Sequence, residues 1–171
     1  MSSEPAPAAL RARRRALAAL LALPAAAACG FAPAYAPGGP ALALRNAVRP
    51  DPAVNDIGFA FATRIEERLG AAPAPDFLLG HSIALAVEGL ARTPSGSTLR
   101  YNLAGRARYD LRRASDGAVL TSGVAESFVS YSAIGTTVAT RASRNDARDR
   151  LAVILADEVV TRLIAAAPGF A

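Results

Sequence analysis

The chain has 171 residues, 52% hydrophobic and 19% charged, with one cysteine, one histidine and a formal net charge of +5. One cysteine excludes an internal disulfide framework, and one histidine leaves a metal site or a general-base site short of its usual ligand or base. All 19 basic residues are arginine, and where they sit decides what the charge means.

Four of them, Arg11, Arg13, Arg14 and Arg15, precede an uncharged Ala/Leu run from Ala16 to Ala28. A basic region, a short apolar stretch and small residues before a cut form the layout of an export signal. The run is too short to span a bilayer as a helix, which needs about 20 apolar residues. Its end, Ala27-Ala28-Cys29, resembles the lipobox of bacterial lipoproteins, so residues 1–28 are predicted to be a signal peptide and Cys29 the acylated first residue of the mature chain. Because Pro33, Pro37 and Pro40 follow, Cys29 has no core to join as a buried thiol.

Removing residues 1–28 leaves 143 residues, one ordinary domain, with 15 arginines against 13 carboxylates and a net charge of +2. The high pI of the whole chain therefore reflects mainly the leader, and basicity gives no reason to expect nucleic acid as a partner. Residues 29–40, ending in "APAYAPGGP", read as a flexible, extended tether. The folded domain is expected over residues 41–167.

"ALALRNAV" (41–48) is predicted as a first strand. Asp56 is expected to cap a helix from about Ile57 to Leu69, with Phe61, Ile65 and Leu69 on its inner face and Arg64, Glu67 and Arg68 outside it. Gly70 and "AAPAP" stop that helix. From about 77 to 132 the pattern alternates. "FLLGHSIALAVEGL" places Ile83, Leu85 and Val87 on one parity, and "TPSGS" (93–97) is a hairpin loop. "TLRYNLAGRARYDLRR" sets Leu99, Tyr101, Leu103, Ala107, Tyr109 and Leu111 against Arg100, Asn102, Arg106, Arg108, Asp110 and Arg112. After the turn "ASDG" a further strand carries Val119, Val129 and Tyr131 on one parity.

A long helix from about Val138 to Ala166 follows, with Ala147, Leu151, Ile154, Leu155, Val159 and Leu163 at helical spacing and Thr137 or Thr140 available to cap it. The expected fold is α+β, a two-layer sandwich of a roughly four-stranded sheet with two helices on one face, in the order β-α-β-β-β-α.

No catalytic constellation emerges. His81 lies early in a strand and is more often structural there than catalytic, the carboxylates are scattered, and the glycine-rich pieces lack phosphate-loop spacing. Binding or assembly is the stronger class, with no enzyme activity, cofactor or metal expected. A periplasmic enzyme would regain credit if His81→Ala abolished a measured turnover. Arg100, Arg106, Arg108 and Arg112 share one face of one strand, and guanidinium groups bind phosphate bidentately. They are candidate contacts for an anionic lipid headgroup, although arginines that simply solubilise a sheet face give the same pattern.

"CGFAPAY", "YNLAGRARYDLRRASDGAVLTSG" and "SYSAIGTTVATRASRNDARDRLAVILADEVVTRL" resemble the lipopolysaccharide-assembly lipoprotein family, LptE, in its alphaproteobacterial form. The resemblance implies a non-enzymatic outer-membrane lipoprotein facing the periplasm. It would plug and help assemble a large outer-membrane β-barrel partner (LptD-like), and so take part in lipopolysaccharide transport. The alternative is an accessory lipoprotein of a lipid-transporting ABC system, which would share the anchor, the size and the lack of catalysis.

Overall fold

The structure, a computed structural model, describes residues 33–92 and 98–170. In chain order the elements are helix α1 (Pro40–Leu44), strand β1 (Val48–Pro50), helix α2 (Asp56–Leu69), strands β2 (Phe77–Arg92), β3 (Thr98–Arg113) and β4 (Val119–Ser132), helix α3 (Thr137–Ala166) and a 3-10 turn, Ala167–Gly169. The four strands form one sheet in the order β1-β2-β3-β4, with β1 parallel to β2 and the other pairs antiparallel. A parallel pair needs a crossover, and α2 supplies it. Both long helices cover the same face, so the α+β two-layer arrangement and the central meander expected from the sequence are present.

The first predicted strand is the main correction. Residues 41–44 are helical, and pairing begins only at Val48, opposite Phe77. Pro40 sits in the first turn of that helix, where its missing N–H costs nothing, and Ala41 and Leu44, three apart, turn inward together. Ala/Leu alternation fits either period over so short a run. Residues 33–39, expected to be extended, form turns, with Ala36 N–H donating to Pro33 C=O at 3.1 Å and Gly39 N–H to Ala36 C=O at 2.7 Å.

The apolar stripes behave largely as predicted. Phe61, Ile65 and Leu69 of α2 are buried, Ile57 joins them, and Gly70 ends the helix at φ 87°. Its cap, however, is Asn55, whose side chain accepts the Gly58 N–H at 2.9 Å; Asp56 is the first helical residue. Likewise Thr136, not Thr137 or Thr140, caps α3 by accepting the Ala139 N–H at 3.2 Å.

Three expected core residues lie outside the core. Val87 is 52% exposed, because the first turn of α2 lies beside Leu85 and the strand runs on past it. Val119 is 61% exposed, because a register shift between Leu111 and Arg112 breaks the alternation at the start of β4. Ile154 is 40% exposed, since α3 buries the stripe Leu151, Ala152, Leu155, Ala156, Val159 and Val160 instead. The "TPSGS" loop lies outside the described residues.

Between the layers, Leu79, Leu103, Ala107, Leu111 and Ala125 of the sheet meet α2 and α3. Gly105 marks the closest approach: a Cβ there would stand 2.9 Å from Leu151 Cδ2 and 3.0 Å from Leu155 Cδ1.

Candidate functional site

The helices leave the other face of the sheet bare, and the even positions of β3 project from it. Cross-strand register sets the rows. Arg108 stands between Ser82 and Val124, Arg106 between Ala84 and Glu126, Ala104 between Ala86 and Phe128, and Asn102 between Glu88 and Ser130. Alanines flanked by longer side chains make a shallow depression of about 490 Å³ over Ala84, Ala86 and Ala104, rimmed by Asn102, Arg106 and Phe128. Phe128 is 66% exposed. The Oδ1 atom of Asn102 is buried there without a hydrogen-bond partner among the described residues.

The four candidate arginines share this face, as their parity requires, but they are not equivalent. Arg106 Nε pairs with Glu126 Oε1 at 2.5 Å. Arg112 is half-buried and held between two carboxylates, donating through Nη2 to Asp51, with its Nε 3.0 Å from Asp110 Oδ2 but outside hydrogen-bond geometry. Arg100 and Arg108 are exposed and have no carboxylate partner among the described residues. The arrangement is therefore a face of alternating charge with two available guanidiniums, rather than a row of four.

Sequence parity located the arginines and missed their partners. Glu126 and Asp51 lie on other strands or their flanks, and only the register of β4 and the parallel docking of β1 bring them close. Phe128 had a signal, its place opposite in parity to Val129, which a reading of the inner stripe alone passes over.

His81 faces the helices, not this surface. Its ring stacks on Phe61 with centroids 5.1 Å apart, and its Nδ1 is buried without a partner among the described residues. Packed in this way it is part of the interlayer contact. No group of three or more His, Cys, Asp or Glu among the described residues is arranged to hold a metal, and no described helix is long and apolar enough to cross a membrane. Cys29 lies outside the described residues.

Fold and surface together define a two-layer α+β domain with a bare, charged sheet face, the layout of a binding or assembly module. The LptE family model, described as lipopolysaccharide-assembly, matches residues 43–163, and the chain belongs to that family. Among solved structures, a putative lipoprotein from Caulobacter crescentus superposes with a TM-score of 0.64 at 18% identity, covering 75% of this chain and 96% of the other. The rare lipoprotein B from Shewanella oneidensis gives 0.51 at 14% identity, covering 70% of this chain and 92% of its own. A minor lipoprotein from Acinetobacter baumannii gives 0.50 at 11%, with 70% and 89% covered. At these identities the likeness is one of fold. Comparison with curated protein sequences gave no match.

Proposed function

We propose that this chain is a non-enzymatic outer-membrane lipoprotein, anchored through acylated Cys29 on the periplasmic side, that plugs and helps assemble a large LptD-like β-barrel and takes part in lipopolysaccharide transport. The family match over residues 43–163 carries the proposal. The physical layout supports it: large outer-membrane barrels have polar lumens, and a domain with charged groups on its open sheet face fits such a wall better than it fits lipid. Within this proposal Arg100, Arg106, Arg108 and Arg112 contact phosphates of lipopolysaccharide, with Arg100 and Arg108 the two whose guanidiniums need not first leave a carboxylate.

Gentle solubilisation of the envelope, capture through a C-terminal tag and mass spectrometry of what co-purifies tests the function. A stoichiometric large outer-membrane β-barrel supports the plug. Recovery of ABC-transporter subunits without a barrel overturns it in favour of the accessory role.

A further inference from the structure

The two edges of the sheet are not alike. β1 pairs only with the first three residues of β2, Phe77 to Leu79. On that side Phe77 N–H donates to Ala47 C=O at 3.0 Å and Leu79 C=O accepts from Asp51 N–H at 2.9 Å, so the odd residues of β2 direct their backbone groups outward. Pro50 ends β1 and the chain turns off toward α2, while β2 runs on to Arg92. Its register with β3 is unbroken as far as Gly89, so the alternation holds over His81–Val87. His81, Ile83, Leu85 and Val87 therefore present N–H and C=O groups along an open edge, where no backbone hydrogen bond among the described residues reaches them. Native edges are blunted by charge, proline or bulges, because unpaired backbone invites another strand. The β4 edge is treated in this way: a register shift lies near its start, Glu126 stands in its middle, and Arg162 of α3 donates to the Val124 carbonyl. The β2 edge is not. Its sequence HSIALAV (81–87) has no proline, no bulge and, His81 aside, no ionisable side chain.

Both faces beside this edge are apolar. On the helix side Ile83 and Leu85 are half-buried and Val87 is 52% exposed. On the other, Ala84 and Ala86 lead into the depression over Ala104, which Phe128 closes on the β4 side and which has no wall among the described residues on the β2 side. We propose that His81–Val87 is a docking edge on which an extended segment of the barrel partner adds to the four-stranded sheet as a further strand. The inference rests on the plug function proposed above. Such an edge recognises backbone: main-chain hydrogen bonds give affinity, and alternate side chains give specificity. At ~3.3 Å per residue the segment spans about 23 Å. It carries apolar side chains at alternate positions beside Ile83, Leu85 and Val87, and one large apolar side chain that reaches over Ala84 and Ala86 toward Phe128. It belongs to a loop or turn of the partner, because strands in the wall of a closed barrel use their backbone groups on one another. A second copy of this chain fits worse. With two His81–Val87 edges paired antiparallel, Gly89 of the second copy falls opposite Leu79, where Pro50 already stands.

The test is amide hydrogen exchange, read residue by residue on the full-length lipoprotein alone and in the complex that co-purifies with it. The outward N–H groups of Ile83, Leu85 and Val87 should slow at least about tenfold in the complex, with Ala84 and Ala86, already paired with β3, little changed. Leu85→Pro removes one outward N–H and leaves the β2–β3 ladder whole, so it should lower the recovery of the barrel severalfold. Val87→Lys, which places a charge on the edge at an exposed position, should do the same and serves if the proline variant fails to fold. Unchanged exchange at 83, 85 and 87 in a complex that contains the barrel, or full barrel recovery by both variants, overturns the docking edge and leaves the function standing. Slowing that rises with the concentration of the isolated lipoprotein puts a second copy on the edge and overturns the barrel segment. Recovery of transporter subunits without a barrel overturns the function, and the docking with it.

Discussion

Arg64 on α2 donates through Nε to Oδ1 of Asp157 on α3 at 2.9 Å and through Nη2 to Oδ2 at 3.1 Å, a two-pronged clasp across 93 positions of sequence. Arg68, one turn further on, adds a third bond to the same carboxylate at 2.7 Å. Burial pushes the Asp157 pKa up, but the hydrogen bond and charge of Arg64, and then those of Arg68, outweigh it and hold the group below the usual carboxylate range. Because the folded-state pKa is the lower one, the contribution is complete above the unfolded-state pKa and disappears as the pH falls through the folded-state value. Asp157→Asn should therefore lose stability at neutral pH, by about 1 kcal/mol for a pair one-third exposed, and should flatten the acid limb of the stability profile. Urea titrations of both proteins from pH 7 down through the carboxylate range check this. An unchanged acid limb in Asp157→Asn would show that other groups set it.

The cap of α2 gives a sharper comparison. Asn55→Ala removes the acceptor of the Gly58 N–H and should cost about 1 kcal/mol, whereas Asp56→Ala, which keeps that bond, should cost less. Thermal or urea unfolding of the two single variants decides. The reverse order would return the cap to Asp56.

At the closest approach of sheet and helix, Gly105→Val should destabilise by about 1–3 kcal/mol, through overpacking against Leu151 and Leu155. Leu151→Ala alone should cost about 2–5 kcal/mol through the cavity it leaves. Combining them should cost less than the sum, because the added methyl groups enter the space the leucine vacates. Strict additivity in denaturant midpoints would mean that the two positions do not share that space.

Charge reversal on the open face tests its ligand. Arg106→Glu with Arg108→Glu should weaken binding of purified lipopolysaccharide at least about a hundredfold, if each lost charged hydrogen bond counts for about 1.5–3 kcal/mol. Circular dichroism on the same protein establishes that it is folded. Undiminished affinity in a folded double variant removes the phosphate role from this face.

The sequence by itself determined the elements whose period runs long. The alternation from Leu99 to Arg112 and the four-residue spacing of Phe61, Ile65 and Leu69 each repeat often enough to leave one answer, because burial on one face imposes a period of 2 on a strand and 3.6 on a helix. It also placed the four arginines together on one side of β3, which parity alone requires.

Tertiary structure decided the rest. The run 41–48 is too short for its period to speak, so packing against α3 and the C-terminal turn made its first residues a helix. Val87 and Ile154 are as apolar as their buried neighbours, yet they stay exposed: β2 runs on past the first turn of α2 before Val87, and Ile154 lies off the face that α3 turns to the core. Whether Arg106 and Arg112 are available or already paired depends on Glu126 and Asp51, which approach only through strand register and the parallel docking of β1. A one-dimensional pattern states which side chains share a face; which other segment meets that face is a property of the assembled layers.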